Sequence, residues 1–388
     1  MAVYKIFPEK DATIYSEIPY SNTGRDEILE VSGYTDSTGV GRTSRTLIKF
    51  SSEDINSVVS RYIGSTNFSS SLRLFLAEAN EIPVDFKVYC YPVSQSWEGG
   101  VGKFGDIPID KSGVSWLYTN PNSSSPWSSS NLISYSNLYV QQEYVENNYT
   151  QDNAQFIEQP YLGVGGGSWV GQYELIDLYT TQSFVQNSGL DLNLNVTNPV
   201  KLFNQGTISN NGFILKLENK YEFNTTSSLR LKYFSTDTNS IYPPCLELKW
   251  DDSSYSTGSL EVLSTVNPVI AFQNSRKEYF NDEKIRFRLT AKPKYPTRSF
   301  TTSSVYLTNY ALPKESYWSI RDINTDDEVI DYDPQFTKIS CDSEGPYFDI
   351  YMNGLQPERY YKLLVKTSIN GSDVILDNQN TFKVVQSE

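Results

Sequence analysis

No histidine occurs anywhere in the 388 residues. Its absence removes the Ser-His-Asp triad, the HExxH zinc helix, His-ligated zinc and the commonest general base at neutral pH. Cysteine is scarce as well. Cys90, Cys245 and Cys341 are odd in number, far apart and without CxxC spacing. That pattern supports neither a disulfide framework nor a zinc site, and points to small buried hydrophobes in a protein folded in a reducing cytosol. No run approaches the roughly 18 apolar residues that a membrane span needs. The opening MAVYKIFPEK lacks the apolar core of a secretion leader. The expectation is a leaderless chain without a membrane partner. Positive charge is short too: 32 Lys and Arg against 46 Asp and Glu leave a formal net charge of −14, which repels phosphate backbones and argues against a nucleic-acid partner.

What is plentiful is core material of a β type. Tyr and Phe number 29 and 19 against 2 Met, and aromatic side chains suit a half-buried pleated surface better than a helix. Period-2 alternation, the mark of a strand with one face buried, recurs at TIYSEI, EILEV, TLIKF, LRLFLA, FKVYCYPV, YELIDL, FILKLE, LRLKYF and CLELKW. Nine such strands between Ala2 and Trp250 are too many for one flat sheet and about right for two packed face to face. Helical periodicity is nearly absent; only SSEDINSVV, with Ser52 and Asp54 as a cap, reads as a turn or two of helix. After Trp250 the small, charged DDSSYSTGS reads as a linker. Seven or eight further strands follow, from LEVL and VIAF to FKVV, with the rhythm of an immunoglobulin-like sandwich. The fold class is all-β, with domains at 1–252 and 261–388 joined by 253–260. Between about 97 and 172 the strand rhythm gives way to Ser/Asn/Gly/Pro-rich text, a long insertion read as packed on the sandwich by its aromatics and ordered by a partner.

Chemical motifs are weak. GGVGKFGD, Gly99 to Asp106, has Phe104 where a phosphate loop needs Ser or Thr for magnesium, and a plain turn is preferred. GVGGGSW, Gly163 to Trp169, lacks dinucleotide spacing; its glycines suit a tight loop or a close backbone approach. Glu98, Asp106 and Asp110 are the first suspects for a glycosidase pair, with solvated loop carboxylates the preferred reading. The acidic NTDDEVIDYDP, Asn324 to Pro334, lacks EF-hand spacing and reads as a charged hairpin loop rather than a calcium site. Trp97, Trp116, Trp127 and Trp169 either form the small core that holds the insertion down or present anchors to a sugar or protein partner. Core is the preferred reading, and Trp127 and Trp169 are the two candidates for contact.

Several of these residues carry a resemblance. Asp11-Ala12-Thr13, Asn22 with Gly24, Arg45 through Phe50, Leu72, Leu74 and Leu76, Trp97-Glu98, Ser115-Trp116, Asn211-Gly212-Phe213 and the closing CLELKW resemble the DNRLRE-type jelly-roll family, related to carbohydrate-binding sandwiches. The likeness runs over nearly all of residues 1–252, and the insertion is longer than the family pattern has. LQPERYYKLLV, with Leu355, Pro357 and Tyr361 in register, looks like a strand of fibronectin type III domains, which implies a tyrosine-corner role for Tyr361. The tandem is similar to virion structural proteins of tailed bacteriophages, notably marine contractile-tailed phages (cyanophages). The resemblance implies a non-enzymatic virion component without a cofactor, in the tail, baseplate or fibre network. It would be present in many copies within a symmetric assembly, touching other virion proteins and a host surface glycan. The alternatives are a carbohydrate-binding adhesin module and a head or neck decoration.

Overall fold

Extended segments make up most of the protein, as the alternation requires. The structure, a computed structural model, describes residues 2–387 apart from 81, 84, 121–124, 128–133, 136–137, 142–164, 174–175, 186–187, 223–227, 266 and 297–307. Much of the expected 97–172 insertion therefore lies outside the described residues. The chain is all-β, and helix among the described residues is confined to short pieces. The first, Ser52–Val58, is where SSEDINSVV placed it, but its cap is Ser51, whose side chain accepts from the Asp54 N–H. Ser51 keeps extended backbone while Ser52 is already helical, so the expected cap is corrected by one residue. No described helix is long and apolar enough to cross a membrane.

The chain forms two compact units. One is Ile6–Tyr62 with Ser69–Glu247; the other is Met1–Lys5, Ile63–Phe68 and Leu248–Glu388. A cut at residues 252 and 261 misses the N-terminal segment, and the reason is physical. Val3 is buried in the same apolar cluster as Leu263, Phe287, Trp318 and Ile350. The Lys5 ammonium donates to the Val329 carbonyl at 2.7 Å, and the Asn353 amide donates to the Lys5 carbonyl at 3.1 Å.

In the larger unit an eight-stranded sheet runs, in spatial order, Thr180–Val185, Asp85–Pro92, Phe213–Leu217, Gly41–Lys49, Ile28–Thr35, Leu229–Phe234 and Leu76–Asn80, with Lys10–Tyr15 also paired to Gly41–Lys49. In the same unit Leu192–Asn195 pairs antiparallel with residues 71–74. The register of Ala12 and Ile214 opposite Leu47, and of Ile14 opposite Arg45, puts these side chains on one face. Trp97, Val114, Trp116, Trp127 and Trp169 cover that face. Phe213–Leu217 is consequently buried along its whole length, and its Lys216 needs a counter-charge. Glu222 supplies it at 3.0 Å and also takes Arg45 at 2.6 Å.

The smaller unit is a two-sheet sandwich. One sheet is Pro268–Gln273, Lys284–Pro293, Gly345–Tyr351 and Ser340–Asp342; the other is Glu278–Phe280, Ser372–Val385, Tyr360–Ile369, Ser316–Asp322 and Glu328–Ile330. Alternate residues of both meet in one core, where Trp318 stacks on Phe348 at 5.3 Å. Tyr361 is buried, and its hydroxyl donates to the Gln356 carbonyl, five residues upstream, at 3.0 Å, the bond expected of a tyrosine corner.

Candidate functional site

The turn after the Lys10–Tyr15 strand organises everything near it. Asn22 is fully buried, and its amide has four positions to satisfy. All four are used: Nδ2 donates to the carbonyls of Gly99 (2.7 Å) and Val114 (2.9 Å), and Oδ1 accepts from the N–H groups of Gly24 (3.2 Å) and Gly102 (2.9 Å). Gly24 sits so close to this loop that a Cβ there would lie 2.1 Å from the Gly99 oxygen. The Trp97 indole donates to the Asn211 carbonyl at 2.8 Å and holds the near end. The loop 99–114 is thereby clamped, and it swings Lys103 and Phe104 over the sheet.

Beneath Phe104 opens a cleft of about 610 Å³ lined by Tyr15, Asp26, Glu27, Ile28, Glu30, Tyr34, Ala77, Glu78, Lys103, Phe104, Arg230 and Lys232. Strand register explains the polar floor. Arg230 faces Ser32, and Lys232 faces Glu30 on one side and Glu78 on the other; the intervening Leu231 and Val31 are buried. LRLKYF thus turns its apolar residues inward and its cations into the cleft. Phe104 meets Tyr15 edge-on at 4.7 Å, and the Arg230 guanidinium lies 3.5 Å above the Tyr34 ring. The Tyr34 hydroxyl donates to Glu17 at 2.6 Å, which holds the ring in place.

Four of the charged groups form two ion pairs. Lys232 pairs with Glu78 at 2.8 Å and Lys103 with Glu27 at 3.5 Å. Glu30 accepts from the Ser32 hydroxyl at 2.7 Å. Asp26 accepts from the Phe104 N–H at 3.1 Å, and burial pushes its carboxyl up to about 6. Such a cleft offers ring faces, donors and acceptors in one place. That is the equipment for a polyhydroxylated ligand, whose apolar ring faces stack and whose hydroxyls hydrogen-bond.

The sequence-derived candidates lie elsewhere. Trp127 and Trp169 are 2% and 1% exposed, so neither is a contact anchor; that expectation is corrected. Trp127 donates to the Ser115 carbonyl at 3.0 Å, and Trp169 lies under Arg45 and Lys216, whose cationic groups are 5.2 and 5.5 Å from its ring. Both are core of the loop layer, where an uninterrupted apolar contact outweighs exposure of an indole. The triglycine before Trp169 serves the same packing: a Cβ on Gly166, at φ +80°, would press to 2.9 Å on both Arg45 and Trp116. Asp106 and Asp110 cap turns, accepting from the N–H groups of Lys103 and Ser112. In the second unit Asp322 and Asp333 likewise accept backbone N–H groups, those of Asn324 and Gln335. Among the described residues no group of three or more His, Cys, Asp or Glu could hold a metal. All three cysteines are buried and none forms a disulfide.

The cleft was missed because its lining comes from distant segments. The one local signal was the alternating cationic face of LRLKYF. No family model and no curated protein matches the chain.

Proposed function

We propose that this protein is a non-enzymatic adhesion component whose larger unit holds a surface glycan in the Tyr15–Tyr34–Phe104–Arg230 cleft. The observation that carries the reading is the cleft itself: aromatic rings beside a set of hydrogen-bonding and charged groups, on a rigid sheet floor with a clamped loop above. On the resemblance to virion proteins of contractile-tailed phages, such a unit would belong to a particle, in the tail, baseplate or fibre network. There the second sandwich would contact neighbouring virion proteins. The buried Trp127 and Trp169 have no part in this reading.

The test has two arms. The purified full chain, offered a panel of bacterial surface polysaccharides, is expected to retain one of them, and Phe104→Ala is expected to weaken retention about tenfold while leaving the thermal melt in place. Immunogold labelling of particles from the source culture is expected on the tail. Glycan retention with no label on particles would replace the virion component by a free adhesin module, and label on the head or neck would make it a decoration. No retention of any glycan would overturn the cleft reading.

A further inference from the structure

Among the described residues, one cation of the cleft has no ion-pair partner. Resting on the glycan reading above, we propose that the bound sugar is acidic, and that Arg230 takes its carboxylate or sulfate. Lys232 and Lys103, the other cations of the cleft, each face a carboxylate within 4 Å. Among the described residues none lies within ion-pairing distance of Arg230, which instead rests flat on Tyr34 at 3.5 Å. Stacking on a ring occupies one face of the guanidinium and leaves its edge donors free. Those donors form a planar fork that matches a two-oxygen anion.

Each carboxylate of the cleft already has a partner. Glu78 and Glu27 are neutralised by their lysines, and Glu30 is engaged with Ser32. Asp26 is held by the Phe104 N–H. In a lining of four carboxylates and three cations, Arg230 is therefore the charged group left with neither an ion pair nor a hydrogen bond among the described residues. Distant acidic groups matter little to a ligand in the cleft, because at physiological salt the screening length is about 8 Å. A neutral sugar would leave the Arg230 donors facing water.

The experiment is calorimetric titration of the full chain with three probes: oligogalacturonate, a sulfated galactan oligomer and a neutral cello-oligosaccharide. Sodium sulfate and sodium acetate serve as simple ions. The acidic oligomers are expected to bind at least tenfold tighter than the neutral one and to weaken as salt rises. Arg230→Gln is expected to lose roughly tenfold to a hundredfold on the acidic oligomers and nothing on the neutral one. Arg230→Lys, which keeps the charge but not the fork, should fall between. Because Arg230 lies on the outward face of its strand, the thermal melt of both variants should match the parent. Preference for carboxylated or for sulfated oligomers tells the two anion sources apart. Equal binding of neutral and acidic oligomers, unchanged in Arg230→Gln, would overturn the proposal and leave the glycan reading intact. Binding of free sulfate as tight as that of the sulfated oligomer would overturn it in favour of a simple anion site, and no binding of any oligomer would overturn both readings.

Discussion

Replacing Asn22 by Ala tests the clamp on which the cleft depends. The substitution removes four hydrogen bonds at a position with no solvent exposure: two to the Gly99 and Val114 carbonyls and two from the Gly24 and Gly102 N–H groups. At about 1 kcal/mol net for each bond, the loss is about 4 kcal/mol. It grows where a buried carbonyl is left without a donor, and the methyl group is too small to close the space. Asn22→Asp separates the contributions, since it keeps an acceptor for the two N–H groups and turns acceptor oxygens toward the two carbonyls. It should cost at least as much as Asn22→Ala at pH 7 and less at pH 4, where the carboxyl can donate once. Urea unfolding followed by tryptophan fluorescence reads both variants, because Trp97 and Trp116 flank the clamped loop. A loss below 1 kcal/mol for Asn22→Ala, with ligand binding unchanged, would refute the claim that this side chain organises the loop.

Three other substitutions probe buried charges and the tyrosine corner. Asp11 is buried and accepts from the Thr236 N–H and hydroxyl at 2.8 and 2.7 Å, yet burial raises its carboxyl from its ordinary 3.8 to about 6. The folded state therefore binds the proton more tightly than the unfolded chain. This group's stabilising contribution is complete below pH 4 and is lost as pH rises to 6, about 3 kcal/mol in all. Asp11→Asn keeps an acceptor for Thr236 and should raise stability at pH 7.5 by up to that amount with no gain at pH 4; denaturant melts at the two pH values check it. Glu222→Gln leaves the buried Arg45 and Lys216 without their shared anion, and the expected loss is about 3–5 kcal/mol in urea unfolding. Tyr361→Phe removes the bond to the Gln356 carbonyl, and calorimetry should show a loss of about 1 kcal/mol confined to the transition of the smaller unit.

Local alternation made the strands legible. LRLKYF, FILKLE, TLIKF and YYKLLVKT lie in strands where expected, because the period of a strand is written in consecutive residues and needs no distant partner. Leu192–Asn195 and the helix Thr197–Asn204 went unread: four residues are too few to establish a period, and Val196 provides no capping side chain to announce the helix. Tertiary structure alone decided which polar residues meet. Tyr15, Asp26, Phe104 and Arg230 come from four segments, brought together by strand register and by the Asn22 clamp. Likewise, nothing in the neighbours of Trp127 or Trp169 distinguishes an anchor from a core residue. Composition and periodicity determined that this is an all-β protein with two sheet-rich parts; long-range pairing determined where its cleft lies, which tryptophans are buried and which sandwich core Val3 joins. The division follows from range: periodicity is set by neighbours a few residues apart, whereas burial and charge pairing are set by residues tens to hundreds of positions away.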